Sequence, residues 1–600
     1  MADTLLDRRD LAFQLYEVLD TESLNERERF SDHSRETFDA VFDTAERIAR
    51  EQFASHNSLA DREEPRFEDG KVTMRPEVKA AVEAYAEAGF IAGRYDYDLG
   101  GMQLPETVMT ACNGFFMAAN PSTAGYPFLT TAAANVIRTF GSREQQDWFL
   151  QPMLEGRFTG TMALTEPQAG SSLADLRTSA KPTDEGHYLI KGAKIYISGG
   201  EHELSDNIVN LVLARIHGAP PGVKGISMFI VPKYRLDADG NPGERNGVGL
   251  AGLIHKLGYR GTTSTALSFG DDADCHGYLV GEPHQGLKYM FQMMNEARVG
   301  VGFGAAAIGY RGYQHSLEYA RDRRQGRPPS EKDPTTEPVP IIQHADVRRM
   351  LLAQKSWMEG ALALCFYGAR LMDDSHTHPD EAQRHQARQL LDLLTPVIKA
   401  WPSEYGPKAN DLAIQVYGGA GYTREYPVEQ CWRDNRLNPI HEGTNGIQAM
   451  DLLGRKVWQG NGEAIQQLFG AIQADLQEAP DERCRQWAYS LSETLQQAGK
   501  VTQSLGQALA QEPPEKGLAN ASVYLRLFGH ICVAWMWLRQ ANAASAALAG
   551  EVSAADEAFY QGKLQAAQYF FHWELPTVAQ DLVLLQNQDD TCYAMRDEWF

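Results

Sequence analysis

The stretch HYLIKGAKIYISGGEHELSDNIVNLVLARIHGAPPGVKGISMFIVPK, residues 187–233, consists of short β-branched runs separated by clusters of Gly, Asp and Pro. Such runs are typical of β-strands, and the residues between them are typical of turns. No segment between the runs is long enough for the helical crossovers that a doubly wound parallel sheet requires. The stretch therefore predicts an antiparallel sheet or barrel.

Helical patterns flank this sheet on both sides. Segments such as RPEVKAAVEAYAEAGF precede it, and long helical segments return after Gly286. We therefore predict a mostly helical α+β protein with an all-β insert. The expected domains are an N-terminal helical domain (1–157), a central antiparallel β-sheet or barrel domain (158–285), a four-helix-bundle domain (286–460) and an additional C-terminal helical domain (461–600).

The composition limits the possible partners of the chain. Its 600 residues carry a net charge of -23, which argues against nucleic acid or an anionic membrane as the main partner, because both require basic surface. The N-terminal segment lacks the pattern of a secretory signal, and no apolar run approaches a membrane span. Seven scattered cysteines without metal-type spacing indicate reduced thiols. We therefore expect a cytoplasmic protein without a metal site.

The segment NPIHEGTNGIQAMDLLGRK, residues 438–456, holds a single carboxylate between a proline turn and a helix start. Pro439 disfavours helix before it, Gly443 permits a positive φ, and Thr444 or Asn445 can cap the following helix. Glu442 therefore projects from a rigid lip. It is either a first-turn glutamate favoured by the helix dipole or a general base.

Two segments of the predicted sheet region carry groups that suit a flat polar ligand. In MALTEPQAGSSLADL, residues 162–176, the hydroxyls and backbone donors could bind a ring edge or a phosphate, although an ordinary polar turn explains them equally well. In KGAKIYISGGEH, residues 191–202, strand alternation places Tyr196 and Ser198 on one face. That face suits a heterocycle or an ordinary sheet core.

Two helical segments carry glycine and arginine clusters. The glycines of QVYGGAGYTREYPVEQCWRD, residues 415–434, permit close approach of a ligand or another chain, or form a helix C-cap. The arginines of YARDRRQGR, residues 319–327, match phosphate oxygens or end a solvated helix. A third segment, GVGFGA at 300–305, fits a dinucleotide fingerprint, but a helical pattern precedes it. We interpret it as a tightly packed helix.

In order and spacing, the motifs ALTEPQAGSS, KIYISGG, DRRQG, QVYGGAGYTREYPVE and PIHEGTNGIQ resemble those of the flavin-dependent acyl-CoA dehydrogenases. The resemblance covers about residues 40 to 460, and it is greatest for a bacterial branch of about 600 residues that includes the methylmercaptopropionyl-CoA dehydrogenases. It implies FAD as cofactor, an acyl-CoA substrate, α,β-dehydrogenation to the trans-2-enoyl-CoA, an electron-transfer flavoprotein as acceptor, and a homodimer.

The resemblance also implies roles for individual residues. Glu442 matches the base that removes the α-proton while the β-hydrogen leaves as hydride to flavin N5. The residues implied in FAD binding are Met162, Leu164, Thr165, Ser171, Tyr196, Ser198, Arg323, Gln325, Gln415, Gly418, Gly419 and Thr444. The residues implied in substrate binding are Ser171, Asn295, Arg298 and Gly443.

The sequence departs from the family pattern at four places. Tyr196 stands where many relatives have Trp, Gly446 stands where many have Gln, and the segment DRRQG is one residue shorter than its counterpart. His441 replaces a common Tyr, and a protonated imidazole there would lower the pKa of Glu442. Some relatives carry the base at the position of Ala297, where the neighbouring Glu296 should face away.

Two other functions remain open from the sequence. An acyl-CoA oxidase or flavin monooxygenase could use the same scaffold, differing in whether the reduced flavin reacts with oxygen. A non-catalytic acyl-CoA-binding protein could also retain the fold, although the Glu442 segment and the flavin motifs favour an enzyme.

Overall fold

The computed structural model describes residues 4–600, except for the side chains of residues 292–296. The chain folds into two compact units. We call Arg35–Ala297 the sheet unit, and residues 4–34 together with Arg298–Phe600 the helical unit. The predicted α+β, mostly helical class is confirmed. The division into four domains stays a prediction.

The sheet unit contains an eight-stranded sheet in which β4 pairs with both β5 and β6, and the other strands follow the order β10-β11-β5-β12-β7-β6-β3. Two small hairpins, β1-β2 and β8-β9, accompany it. The strands are β1 Arg66–Glu68, β2 Lys71–Thr73, β3 Phe158–Ala163, β4 Ser179–Pro182, β5 Tyr188–Ser198, β6 Asn207–Ile216, β7 Ile226–Pro232, β8 Tyr234–Leu236, β9 Pro242–Arg245, β10 Val248–Leu253, β11 Ser264–Phe269 and β12 His276–Leu279.

The central sheet is confirmed, but two of its pairings are parallel. Strands β3 and β4 each run parallel to β6, whereas the other pairings in the sheet are antiparallel. A parallel pair needs a long connection, and the chain between β3 and β6 supplies one through β4 and β5. The absence of helical crossovers in the sequence therefore does not exclude parallel pairing, because strands can also form the connection.

Helices precede the sheet within the same unit. Strand β3 packs closely on them, because a Cβ added at Gly160 would lie 2.6 Å from Ala133 Cβ. The helices are α2 Arg35–Ile48, α3 Asn57–Arg62, α4 Pro76–Glu87, α5 Glu106–Ala119, α6 Pro121–Phe140, α7 Arg143–Gln145 and α8 Gln151–Leu154.

The helical unit is built on three long helices, α9, α10 and α11. Helix α9 begins in the sheet unit and continues into the helical unit. The helices are α1 Arg8–Ala12, α9 Gly286–Asp322, α10 Ala345–Thr377, α11 Glu381–Tyr417, α12 Val428–Asn435, α13 Asn445–Gly454, α14 Glu463–Gln477, α15 Glu482–Gln511, α16 Pro514–Gly517, α17 Ala521–Leu548, α18 Ala554–Tyr569, α19 Val578–Gln586 and α20 Thr591–Ala594.

The GVGFGA segment lies inside α9, which confirms the interpretation of a packed helix. A Cβ added at Gly302 would lie only 1.9 Å from the Ile398 carbonyl oxygen of α11. A Cβ added at Gly312 would lie 2.2 Å from Asn410 Nδ2. The small residues therefore let the backbones of α9 and α11 approach closely.

The expectation of no apolar run of membrane-spanning length is wrong for one segment. Pro514–Leu548 is long and apolar enough by length and composition, with a mean hydropathy of 1.3 in its most apolar window. However, 83% of that window is buried within the protein, as in the core helix of a soluble fold. The predicted apolar face of this segment is buried, since Phe528, Ile531, Trp535 and Leu538 are each at most 4% exposed.

Residues 4–34 belong to the helical unit through a buried charge network. Lys563 of α18 is fully buried, forms an ion pair with Asp10, and contacts Glu359 of α10 at 2.8 Å. Glu359 also pairs with Lys355. Because unpaired charges are costly in a protein interior, this network fixes the N-terminal segment to α10 and α18.

Candidate active site

Glu442 lies in the loop between α12 and α13, on a backbone that L-residues rarely adopt. Its φ is 53°, and that of Gly443 is 83°. Thr444 caps α13, as predicted, because its hydroxyl accepts a hydrogen bond from the Ile447 N–H at 3.3 Å. A positive φ at a non-glycine residue is strained and persists only where the surroundings enforce it.

Gln448, which is fully buried in α13, enforces this conformation. Its side-chain amide donates to the carbonyls of Glu442 and Gly443, at 3.4 and 3.2 Å. A Cβ added at Gly443 would lie 2.7 Å from the same amide nitrogen. The position therefore requires glycine for both its φ and its space.

We expect Gly443→Ala to slow substrate-dependent flavin reduction by about 10- to 100-fold, because a shift of the loop misplaces Glu442. Stopped-flow absorbance with an acyl-CoA measures this rate. Gly446→Ala is the matched control, since Gly446 lies in α13 and its added Cβ would come no closer than 3.9 Å to a neighbouring atom. Equal rates in the two variants would show that the loop conformation does not matter.

The surroundings of Glu442 combine burial with positive charge. Burial raises the pKa of Glu442, while Arg298 and Lys399 oppose this shift. Arg298, in α9, is 3% exposed and lies 3.5 Å from Asp451, and its Nε has no hydrogen-bond partner among the described residues. The loop thus holds a carboxylate that is poised to take up a proton next to two cations.

His441 does not act as expected. Burial, together with the nearby charge of Lys399, lowers the pKa of His441 to about 3, so its imidazole is neutral. The neutral ring therefore does not meet the condition under which His441 would lower the pKa of Glu442. The ring instead contacts the side-chain oxygen of Asn438 at 3.0 Å and helps to order the loop.

In the sheet unit, Tyr196 occupies a bulge in β5. The register against β11 shifts at this point, and Tyr196 has a φ of 60°. Its ring is 63% exposed, while Ile197 is buried and Ser198 is half-buried. An exposed aromatic ring on strained backbone is typical of a ligand platform, and strict strand alternation does not predict the bulge.

A buried ion pair fixes the loop that follows β3. Glu166 and Lys194 are almost fully buried and lie 2.8 Å apart. Burial would raise the pKa of Glu166, but Lys194 and nearby hydrogen-bond donors hold it at about 2. Lys194 also donates to the Leu164 carbonyl at 3.0 Å, and the Ile195 N–H donates to the Thr165 carbonyl at 2.9 Å.

This anchoring fixes the predicted flavin segment against β5. Met162 is buried in β3, Leu164 and Thr165 are half-buried, and Ser171 is exposed in the middle of the loop. Their contacts with a ligand stay predictions.

In the helical unit, the structure brings two segments implied in FAD binding, those of Arg323 and Gln415, close to each other. The Tyr319 ring, just before Arg323, stacks on Tyr417 with a centroid distance of 4.0 Å. Tyr417 directly precedes the exposed glycines, Gly418 and Gly419. Arg323, Gln325 and Gln415 are all exposed.

Sequence reasoning missed several residues that shape these sites. These residues are polar and buried, and each has hydrogen-bond partners elsewhere in the chain; they are Glu166, Lys194, Lys399 and Gln448. A charged residue within an apolar run, as at Lys194, was the available signal. The side chain of Asn295, predicted to bind substrate, lies outside the described residues.

Comparison with known proteins decides the family. The N-terminal, middle and C-terminal domain models of acyl-CoA dehydrogenases match residues 35–157, 161–271 and 284–457. A fourth model, acetyl-CoA dehydrogenase C-terminal like, matches residues 468–596. The chain is 36% identical to 3-methylmercaptopropionyl-CoA dehydrogenase of Ruegeria pomeroyi, over 94% of both chains. The chain belongs to the acyl-CoA dehydrogenase family.

Two further similarities extend over nearly the whole acyl-CoA dehydrogenase chain. It is 34% identical to the broad-specificity linear acyl-CoA dehydrogenase FadE5 of Mycobacterium tuberculosis, over 97% of each chain. The structure of acyl-CoA dehydrogenase complexed with FAD from Bacillus anthracis matches with a TM-score of 0.73 and 20% identity, over 95% of this chain and 91% of that one. The predicted family and enzyme class, an oxidoreductase, are confirmed.

Proposed function

We propose that this protein catalyses the FAD-dependent α,β-dehydrogenation of an acyl-CoA thioester to the trans-2-enoyl-CoA. The observation that carries the proposal is the Glu442 carboxylate, held on a left-handed backbone with a raised pKa beside Arg298 and Lys399. Family membership supports the same assignment.

Glu442 acts as the base in this proposal. Its carboxylate takes the α-proton of the thioester, the electron pair of that C–H bond forms the Cα–Cβ double bond, and the β-hydrogen leaves with its electrons. When bound, FAD supplies the acceptor for this hydride. A base works best when its pKa lies near the operating pH, and burial moves the Glu442 pKa in that direction.

Arg298 and the Glu442 loop position the part of the substrate that loses the α-proton. Beside the loop, Arg298 keeps one buried nitrogen that has no hydrogen-bond partner among the described residues, and this nitrogen suits a polar group of a bound substrate. Gly443 lets the Gln448 amide pack against the loop, because an added Cβ would lie 2.7 Å from that amide nitrogen. In the proposal, Ser171, Asn295, Arg298 and Gly443 contact the acyl-CoA.

The residues present fit FAD. In the sheet unit, the exposed Tyr196 ring and the hydroxyls of Thr165 and Ser198 suit a flat ring system with polar edges. In the helical unit, the glycines after α11 are open to a ligand, because an added Cβ at Gly418 or Gly419 would meet no atom within 4 Å. The FAD bound in the related Bacillus anthracis structure supports this assignment.

We expect Arg323→Ala to purify mostly without flavin. Removal of a charge-assisted contact to a phosphate or adenine group weakens binding by roughly ten- to hundredfold. The absorbance ratio of flavin to protein measures occupancy. The matched control is Arg324→Ala, since the neighbouring Arg324 guanidinium donates to the Pro338 carbonyl within the protein. Full flavin occupancy in the Arg323 variant would reject the assigned contact.

The proposed partners follow from the family resemblance. The protein is proposed to work as a homodimer and to pass electrons from reduced FAD to an electron-transfer flavoprotein. Light scattering gives the mass of the particle in solution. Reduction of a purified electron-transfer flavoprotein in the presence of substrate measures the electron transfer.

The central experiment is anaerobic bleaching of the flavin spectrum by a panel of acyl-CoAs. The panel includes linear chains of increasing length and 3-methylmercaptopropionyl-CoA, the classes named for the two relatives. Bleaching by at least one thioester, with formation of its 2-enoyl product, is the expected result. A flavin that no thioester reduces would reject the proposal.

A further inference from the structure

Lys399 is a buried lysine that joins the two ends of the Glu442 loop. It lies in the middle of α11 and is 0% exposed. Its ammonium donates to the Asn438 carbonyl at 2.8 Å and to the Asn445 side-chain oxygen at 3.2 Å. Asn438 follows the end of α12 by three residues, and Asn445 is the first residue of α13, so one cation fastens both sides of the Glu442 loop.

The partners of Lys399 differ from those of other buried lysines. Lys194 and Lys563 each contact a carboxylate at 2.8 Å, as buried lysines usually do. The two hydrogen bonds of Lys399 instead go to uncharged oxygens. Its charge is thus available to the nearby Glu442 rather than being neutralised in a direct ion pair.

The charged groups around this lysine are few. Burial lowers the pKa of Lys399 to about 7, Glu442 raises it, and Arg298 lowers it. In return, the charges on Arg298 and Lys399 lower the pKa of Glu442. The imidazole of His441 is neutral at pH values well above its pKa of about 3. The more distant charges act on Arg298 rather than on Lys399, and they are those of Asp451, Arg455 and Asp392.

We propose that Lys399 is the positioning residue of the catalytic base: its buried ammonium ties the ends of the Asn438–Asn445 loop and supplies the charge that keeps Glu442 ionised before proton transfer. The inference rests on the proposed function, in which Glu442 is the base. Burial that strengthens a base also favours its neutral form, and a neutral carboxyl cannot accept a proton. The protonated ammonium of Lys399 offsets this loss at pH values below its own pKa of about 7.

The test measures the pH dependence of flavin reduction in Lys399→Gln and Lys399→Met holoenzymes. Without the cation, the pKa of Glu442 rises, so the acidic limb of the rate moves to higher pH by about one unit. At pH values below this limb, the rate of flavin reduction then falls about tenfold. Lys399→Met, which also lacks a donor for the loop, loses rate above the limb as well. Lys399→Arg keeps the charge and should keep the limb in place.

A buried lysine elsewhere provides the matched control. Lys456 is 1% exposed and pairs with Asp392, so Lys456→Gln should lower the melting temperature without moving the limb. An unmoved limb in both neutral Lys399 variants, or an equal shift in Lys456→Gln, would overturn the proposal.

The same assay separates this inference from the proposed function. If Glu442→Gln abolishes reduction while the Lys399 variants leave the limb in place, the base assignment stands and only the role of Lys399 is rejected. If Glu442→Gln reduces flavin normally, the base assignment is rejected, and the role of Lys399 with it.

Discussion

Glu442→Gln is expected to retain FAD and to bind acyl-CoA, but to reduce its flavin at least about a thousandfold more slowly than the unchanged protein. An amide has nearly the same size as a carboxyl group but cannot accept the α-proton, and general-base contributions reach this magnitude. The loop should keep its shape, because Gln448 holds the carbonyls of residues 442 and 443 rather than the side chain. Stopped-flow absorbance under anaerobic conditions measures the rate.

The spectral change on acyl-CoA binding gives the dissociation constant of the same variant. A rate loss at unchanged affinity separates loss of the base from loss of the site. Glu404→Gln is the control, since Glu404 lies on the surface of α11 in an exposed ion pair with Lys408. Near-normal reduction by Glu442→Gln would place the base elsewhere, and Glu296 would be the first residue to exchange.

The sequence was informative where short-range patterns determine structure. Pro439, Gly443 and Thr444 lie within a few residues of Glu442, and they predict the capped helix and the projecting carboxylate. The helical pattern before Gly300 likewise excludes the dinucleotide fingerprint. Both features depend on neighbours in the chain, so a single sequence contains the needed information.

The sequence was uninformative where burial and partners distant in the chain determine a contact, a charge state or a backbone conformation. Lys399 lies some forty residues before the loop that it fastens, and nothing local marks it as a partner of Asn438. The charge state of His441 follows from its burial, which the residue type does not reveal. The positive φ of Tyr196 follows from a register shift against β11.

The C-terminal helices contain no motif of the family chemistry, yet the helical unit depends on them. Helix α17 packs against α10, α11 and α13 within that unit. The Trp537 indole donates to the Ser356 carbonyl of α10 at 2.8 Å, and a Cβ added at Gly360 would lie 2.7 Å from that indole nitrogen. Trp401 of α11 packs on Gly529 of α17 as closely as Trp537 packs on Gly360.

Deleting residues 461–600 is therefore expected to cause aggregation or higher oligomers. The deletion uncovers the faces of α10, α11 and α13 that α17 now buries, and a contiguous apolar patch above roughly 400 Å² promotes association. Light scattering of the purified proteins measures the particle mass, with a homodimer expected for the full chain.

The control is a chain that lacks only residues 591–600, all of which are exposed. It should behave as the full chain does, because its removal uncovers no packed face. A 461–600 deletion that remains a monodisperse dimer would show that the C-terminal helices are dispensable for the core. A tetrameric full-length chain would contradict the proposed homodimer.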